Sequence, residues 1–170
     1  MHKLRDSHGD PEEDLRAKLE TVAGRRKVYV LGLGNTDRAD DGAGVLVANA
    51  LKKPFPSHSY SEHDGIEGVV LDLSDKTEDL VVFFVDAANL GLKAGSIRVI
   101  DKDDIREAEI TTHRVAVALM AAMLERAGKK AAVICIQPQR IEFRGPVSKP
   151  VKAAIDELVE ALRQVIGSRR

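Results

Sequence analysis

Apolar positions fall into two kinds of pattern along the chain: unbroken runs with the length of a strand, and stripes with helical spacing. The first stripe is Leu15, Leu19 and Val22. Asp10 before it reads as an N-cap, Pro11 as the first helical residue, Glu12 and Glu13 as first-turn acids, and Gly24 as the stop. From Lys27 the pattern changes to Val28-Tyr29-Val30-Leu31-Gly32-Leu33, a run expected of a strand buried on both faces, ending at Gly34-Asn35. An acidic turn follows, then a helix from Gly44 to Lys53 stopped by Pro54. Ser59 to His63 reads as an exposed edge strand, and Glu67 to Leu73 as a helix with Val69, Val70 and Leu73 inward. Leu80 to Val85 is a second fully apolar strand, expected to stop at Asp86, and Ser96 to Ile100 a brief third one. Thr111-Thr112 is expected to cap a helix from Val115 to Ala127, closed by Gly128. Ala131 to Ile136 is another buried strand, ended by Pro138. The last element is an amphipathic helix from Ser148 to Ile166, with Val151, Ile155, Leu158, Leu162 and Ile166 on one side.

Buried strands alternating with helices predict an α/β fold, a three-layer sandwich around a mostly parallel sheet. The 170 residues suffice for one domain with a conventional core. The division expected is an N-terminal extension carrying one helix (residues 1–26) and a single α/β domain (27–170). With 26 basic and 27 acidic residues the formal charge is −1, which argues against a polybasic nucleic-acid binder. Four Phe, two Tyr and no Trp are too few for a base-stacking platform. The single cysteine, Cys135, allows neither an internal disulfide nor a Cys-rich zinc site and suits a reducing compartment. It lies inside an apolar strand, where a small core residue is expected instead of a nucleophile. No apolar run approaches the ~20 residues of a membrane span, and Met1 to Asp10 is charged where a secretory signal needs apolar residues. A cytoplasmic protein is expected.

In open α/β sheets, sites form beyond the carboxyl ends of the strands. Three such ends carry chemistry here. The first offers Asp37, Asp40 and Asp41, the second stops on Asp86, and His113 begins the helix after the short third strand. Asp41, Asp86 and His113 brought together would give two oxygens and one imidazole nitrogen, a divalent-metal set with open positions. A helix N-terminus favours ionised carboxylates beside Asp40 and Asp41, and it disfavours a protonated His113. Each residue also has a plain structural role open to it: acids at helix starts are often caps, and a first-turn histidine is often a surface residue. Asp86 is harder to explain that way, because a carboxylate at the end of an apolar run needs a cation, a metal or backbone donors. His2, His8, His58 and His63 show no metal-ligand spacing and are expected in solvent.

The Gly32-Leu33-Gly34-Asn35 turn invites comparison with dinucleotide folds, where glycine lets backbone amides approach a pyrophosphate. The third glycine of that motif is Asp37 here and two more acids follow, so no nucleotide cofactor is expected.

Together these residues resemble the [NiFe]-hydrogenase maturation endopeptidases, which remove a short C-terminal extension from the hydrogenase large-subunit precursor. The resemblance runs from Val28 to about Ile166. It is carried by Gly32-x-Gly34-Asn35 leading to Asp40-Asp41-Gly42-x-Gly44, by Asp64-Gly65, Val85-Asp86-Ala87 and Thr111-Thr112-His113, and by Ile136-Gln137-Pro138. The Gln137-Pro138 to Ser148 stretch is similar to the branch acting on hydrogenase 3 and other group 4 enzymes. The resemblance implies a five-stranded twisted sheet with one short antiparallel strand, the piece at Ser96 to Ile100. It implies metal ligation by Asp41, Asp86 and His113, with some members carrying Glu where Asp41 stands. It further implies that nickel arrives in the precursor and is recognised there, and that the partner is that precursor. Asp64 is the candidate for proton transfer, or else a turn residue capping the Glu67 helix. Two other functions stay open: a non-catalytic nickel-binding or chaperone module using the same three residues, and a nucleotide-binding regulator. A monomer is expected, and the N-terminal helix is expected to be an added docking or oligomer surface, or a cover for one sheet edge.

Overall fold

The structure, a computed structural model, describes residues 11–101, 109–110 and 114–169; side chains are described from Leu15 onward, except at 101, 109, 110 and 114. The described residues form α1 (Pro11–Ala23), β1 (Lys27–Gly32), α2 (Ala43–Lys52), β2 (Ser59–Ser61), α3 (Ile66–Asp75), β3 (Leu80–Asn89), β4 (Ile97–Asp101), β5 (Glu109–Ile110), α4 (Arg114–Arg126), β6 (Lys130–Ile136) and α5 (Lys149–Gly167). Short 3-10 turns at Ala39–Gly42 and Glu62–Asp64 precede α2 and α3.

The sheet has the order β2-β1-β3-β6-β4. β2, β1, β3 and β6 run parallel, and β4 lies antiparallel on the edge of β6, as the family resemblance implied for the Ser96 to Ile100 piece. Alternate residues of the central strands serve two cores. Val28, Val30, Val81, Phe83, Val85, Ala132, Ile134 and Ile136 face α1, α2 and α5. Tyr29, Leu31, Leu80, Val82, Phe84, Ala131, Val133 and Cys135 face α3 and α4. The three layers follow directly from this alternation. Among the described residues, no helix is long and apolar enough to cross a membrane.

Two elements depart from the sequence expectation. Strand β3 does not stop at Asp86; it runs on to Asn89. Its ladder with β6 continues through Asp86↔Cys135 and Ala87↔Ile136, and the two-residue β5 then pairs with Ala88 and Asn89. β1 ends at Gly32↔Val85, so Asp86 is the first residue of β3 beyond that partner. The strand expected over Ser59 to His63 ends at Ser61, because the chain turns there into the 3-10 turn. The Thr111-Thr112 cap lies outside the described residues.

Helix α1 packs its stripe into the main core, with Leu19 and Ala23 fully buried and Val22 half-buried against α5 and its neighbours. Leu15 also lines a groove of about 310 Å³ beside edge strand β4, shared with Lys18, Arg98 and Glu157.

Candidate active site

The carboxyl ends of β1 and β3 are crossed closely by the chain entering α2, and glycine makes the crossing possible. A Cβ on Gly44 would overlap the carbonyl oxygens of Val85 and Leu33, so any side chain there would lift α2 off the sheet. Gly34, at φ 127°, is pressed in the same way against the main chain of Asp41, and a Cβ on it would lie 3.7 Å from Oδ1 of Asp86. The first and second strand ends therefore meet at Gly34, and two of the expected acids meet there with them. The glycines of this turn accommodate chain crossing.

The three buried carboxylates at this rim are held differently. Asp41, 5% exposed, accepts the N–H of Asn35 at Oδ2 (3.2 Å), and its Oδ1 takes no hydrogen bond among the described residues. Asp86, fully buried, accepts the N–H of Ala87 at Oδ1 (2.9 Å). By strand alternation it stands on the α3–α4 face of the sheet. Asp40 is also fully buried, but it is saturated. Its carboxylate accepts the N–H groups of Gln139 (2.8 Å), Arg140 (3.1 Å) and Ser148 (2.7 Å) and the hydroxyl of Ser148 (2.8 Å). Burial pushes its pKa up, but these four donors outweigh burial and hold it below the usual carboxylate range. Asp40 is thus a structural clamp joining the 3-10 turn to the loop before α5, while Asp41 keeps an oxygen available.

Asp64 sits on the same rim, since Ser61 pairs with Gly32 at the end of β1. One oxygen, Oδ2, accepts the Ser61 N–H (2.7 Å) and hydroxyl (3.3 Å) and pairs with Lys52 Nζ at 2.5 Å. Burial raises its pKa, but the Lys52 ammonium and the Ser61 donors lower it further, leaving it below the ordinary value. The cap it forms closes its own turn, Glu62–Asp64, in a capping box with Ser61. It does not cap the Glu67 helix: that helix begins after Gly65, in the left-handed region at φ 71°. Glu62 reaches back toward the Gly34 N–H at 3.4 Å, adding an acid to this rim that the sequence alone did not single out.

His113 lies outside the described residues. Among the described residues, no three His, Cys, Asp or Glu side chains converge to hold a metal ion. Two hard oxygen donors on buried carboxylates, one with an unsatisfied oxygen, are compatible with a borderline divalent ion completed by other ligands.

A family model described as hydrogenase maturation protease (HycI) matches residues 66–165. The hydrogenase 3 maturation protease of Escherichia coli K12 is 31% identical over 136 residues, covering 78% of this chain and 86% of that protein. The chain belongs to the hydrogenase maturation protease family. Solved structures agree. An endopeptidase HycI from Escherichia coli superposes with a TM-score of 0.66 at 27% identity, covering 85% of this chain and 92% of that one. The [NiFe] hydrogenase maturation protease HycI from Thermococcus kodakarensis gives 0.70 at 25% identity, covering 88% and 99%. The three-layer fold is that of the maturation proteases, and the chain is a hydrolase of this family.

Other residues of this maturation protease have structural places. Cys135 is fully buried opposite Asp86, and burial, with the Asp86 charge adding to it, pushes its thiol up to about 12, so it is not a nucleophile. His58 departs from the expectation of a solvated residue. It is half-buried, stacks on Tyr29 (centroids 4.9 Å apart) and bonds through Nδ1 to the Val28 carbonyl at 2.9 Å. Gln137, 8% exposed, accepts the N–H groups of Leu90 (2.6 Å) and Leu92 (3.3 Å), fixing the loop beyond β3. Long-range clamps of this kind leave no periodic trace in a sequence.

Proposed function

We propose that this chain is an endopeptidase that removes the C-terminal extension of a [NiFe]-hydrogenase large-subunit precursor once nickel has been inserted. Asp41, Asp86 and His113 engage the substrate's nickel. The observation that carries this is the approach of the Asp41 main chain and the Asp86 carboxylate to Gly34, which brings two buried acids from separate strand ends to one place. Burying the Asp41 carboxylate with one oxygen open has a desolvation cost, which a cation arriving with the substrate offsets. The relatives named hydrogenase 3 maturation protease supply the reaction class.

The substrate's nickel supplies Lewis acidity toward the scissile carbonyl or a water. The chain's own residues do the rest. Asp41 and Asp86 present fixed oxygens, and Asp40 keeps the Asp41 turn in place through its clamp on Ser148. His113 follows β5, which pairs with β3 just beyond Asp86. Asp64 is the candidate for proton transfer through Oδ1, with Lys52 holding the other oxygen; the Lys52 and Ser61 contacts that lower its pKa weaken it as a base.

Incubating the purified chain with nickel-loaded and nickel-free precursor, followed by intact-mass measurement of the large subunit, tests this. The expected result is a shortened subunit only in the loaded sample. Binding without shortening would instead identify a non-catalytic nickel-binding or chaperone module.

A further inference from the structure

Helix α4 buries Val117, Met120, Ala121 and Leu124 against the sheet. Its opposite face is also apolar. Val115 is 80% exposed, Leu119 63% and Met123 37%, at i, i+4 and i+8, with Ala116, Ala118 and Ala122 exposed between them. From Val115 to Met123 the helix carries no charged or hydrogen-bonding side chain; Arg114 precedes this stretch and Glu125 and Arg126 follow it in the last turn. Solvent-facing helix surfaces ordinarily carry charge, so a sustained apolar face marks an interaction surface.

We propose that the exposed face of α4, built on Val115, Leu119 and Met123, docks an apolar patch on the folded body of the precursor whose tail is cut at the Asp41–Asp86 rim. This rests on the function proposed above and names where the substrate's body lies.

Two observations favour that occupant. The first is position. Asp86 stands on the sheet face that α3 and α4 cover, and β5 pairs with Ala88, two residues past Asp86. The chain passes from Ile110 to the start of α4 in four residues, at most about 14 Å of reach. The start of α4 therefore lies within reach of a folded substrate whose tail is at the rim. The second is area. A helix of 13 residues is about 20 Å long and about 10 Å across, so one face offers far less than the ~800 Å² per partner of a stable interface. It is too small to hold a second copy of this chain as a standing dimer. It suffices as an added contact for a partner already tethered through its tail, where effective concentration makes a weak contact count.

The test is calorimetric titration of nickel-loaded precursor into the full chain and into Leu119→Lys, Val115→Lys and the milder Leu119→Gln, with cleavage and light scattering measured in parallel. The substituted side chains are exposed, so the melting profiles of all three variants are expected to match the parent. Docking on α4 predicts Kd at least tenfold weaker for the lysine variants, a raised KM and an unchanged kcat. Equal Kd for parent and lysine variants overturns the inference, whether or not the parent cleaves. No binding by the parent overturns it too. So does a parental dimer that the lysine variants convert to monomer, since that assigns the face to self-association. Failure of the parent to cleave while binding still depends on Leu119 would count against the proposed reaction and leave the docking face standing.

Discussion

The two rims of the sheet treat charge in opposite ways. At the amino ends of β1 and β3, acids are matched with cations or hydroxyls: Glu78 takes Lys27 Nζ and the Tyr29 hydroxyl at 2.6 Å each, and Arg26 meets Asp79 at 3.1 Å. Lys129 finishes the job by donating to the Lys76 and Glu78 carbonyls. At the carboxyl ends, Asp40, Asp41 and Asp86 are buried, and the partners described for them are main-chain N–H groups and one hydroxyl. Paired charges at one end contribute to stability and ask nothing of a ligand. At the carboxyl rim, by contrast, the described donors to Asp40 and Asp41 are dipoles and not cations, and one oxygen of Asp41 takes no hydrogen bond among the described residues.

Within the carboxyl rim, Asp40 belongs functionally with the opposite end, and its removal has the largest expected effect on stability. Asp40→Ala leaves three N–H groups and the Ser148 hydroxyl without their acceptor, at a cost of about 3–5 kcal/mol. Denaturant titration reads this directly, and a loss below about 1 kcal/mol would mean the loop before α5 is held by something else. A smaller effect follows from its titration. Because the folded-state pKa of Asp40 is lowered, its contribution is complete above the ordinary carboxylate pKa near ~4 and is lost as pH falls through the folded value. The parent should therefore lose stability on acidification below about pH 4 more steeply than Asp40→Asn, as measured by melting temperature against pH. The smallest effect is at the amino rim: Glu78→Gln should cost about 1 kcal/mol, a melting shift of about 2–4 °C, because its ion pair is partly exposed. Cleavage should be unchanged in that variant, and a loss of activity there would break the contrast between the two rims.

Much of this arrangement can be read before folding. The runs at Val28, Leu80 and Ala131 appear as β1, β3 and β6 because strands buried on both faces tolerate little else. The meeting of Asp41 with the Asp86 strand end is legible too, because carboxyl ends of neighbouring parallel strands must share one rim. Asp86 itself is misplaced by sequence reading, since hydropathy ends at Val85 whereas the hydrogen-bond ladder with β6 does not. The Asp40 clamp was beyond reach: its partners lie about a hundred residues away in a loop without periodicity. The α4 face was hidden for a different reason. Apolar residues all round a helix do not say which side the sheet takes, and only packing against β3 and β6 separates Val117 and Leu124 from Val115 and Leu119.

The contrast between rims turns on whether Asp86 serves chemistry or structure, and one paired measurement on Asp86→Asn decides it: cleavage of nickel-loaded precursor and melting temperature in the same preparation. Asparagine is isosteric and keeps an oxygen for the Ala87 N–H, so the melting temperature should stay within about 3 °C of the parent. Cleavage should fall about 10³-fold, or about 4 kcal/mol of transition-state stabilisation. Cleavage at the parental rate, or a fall in activity no larger than a matching collapse of the melting temperature explains, would contradict the account.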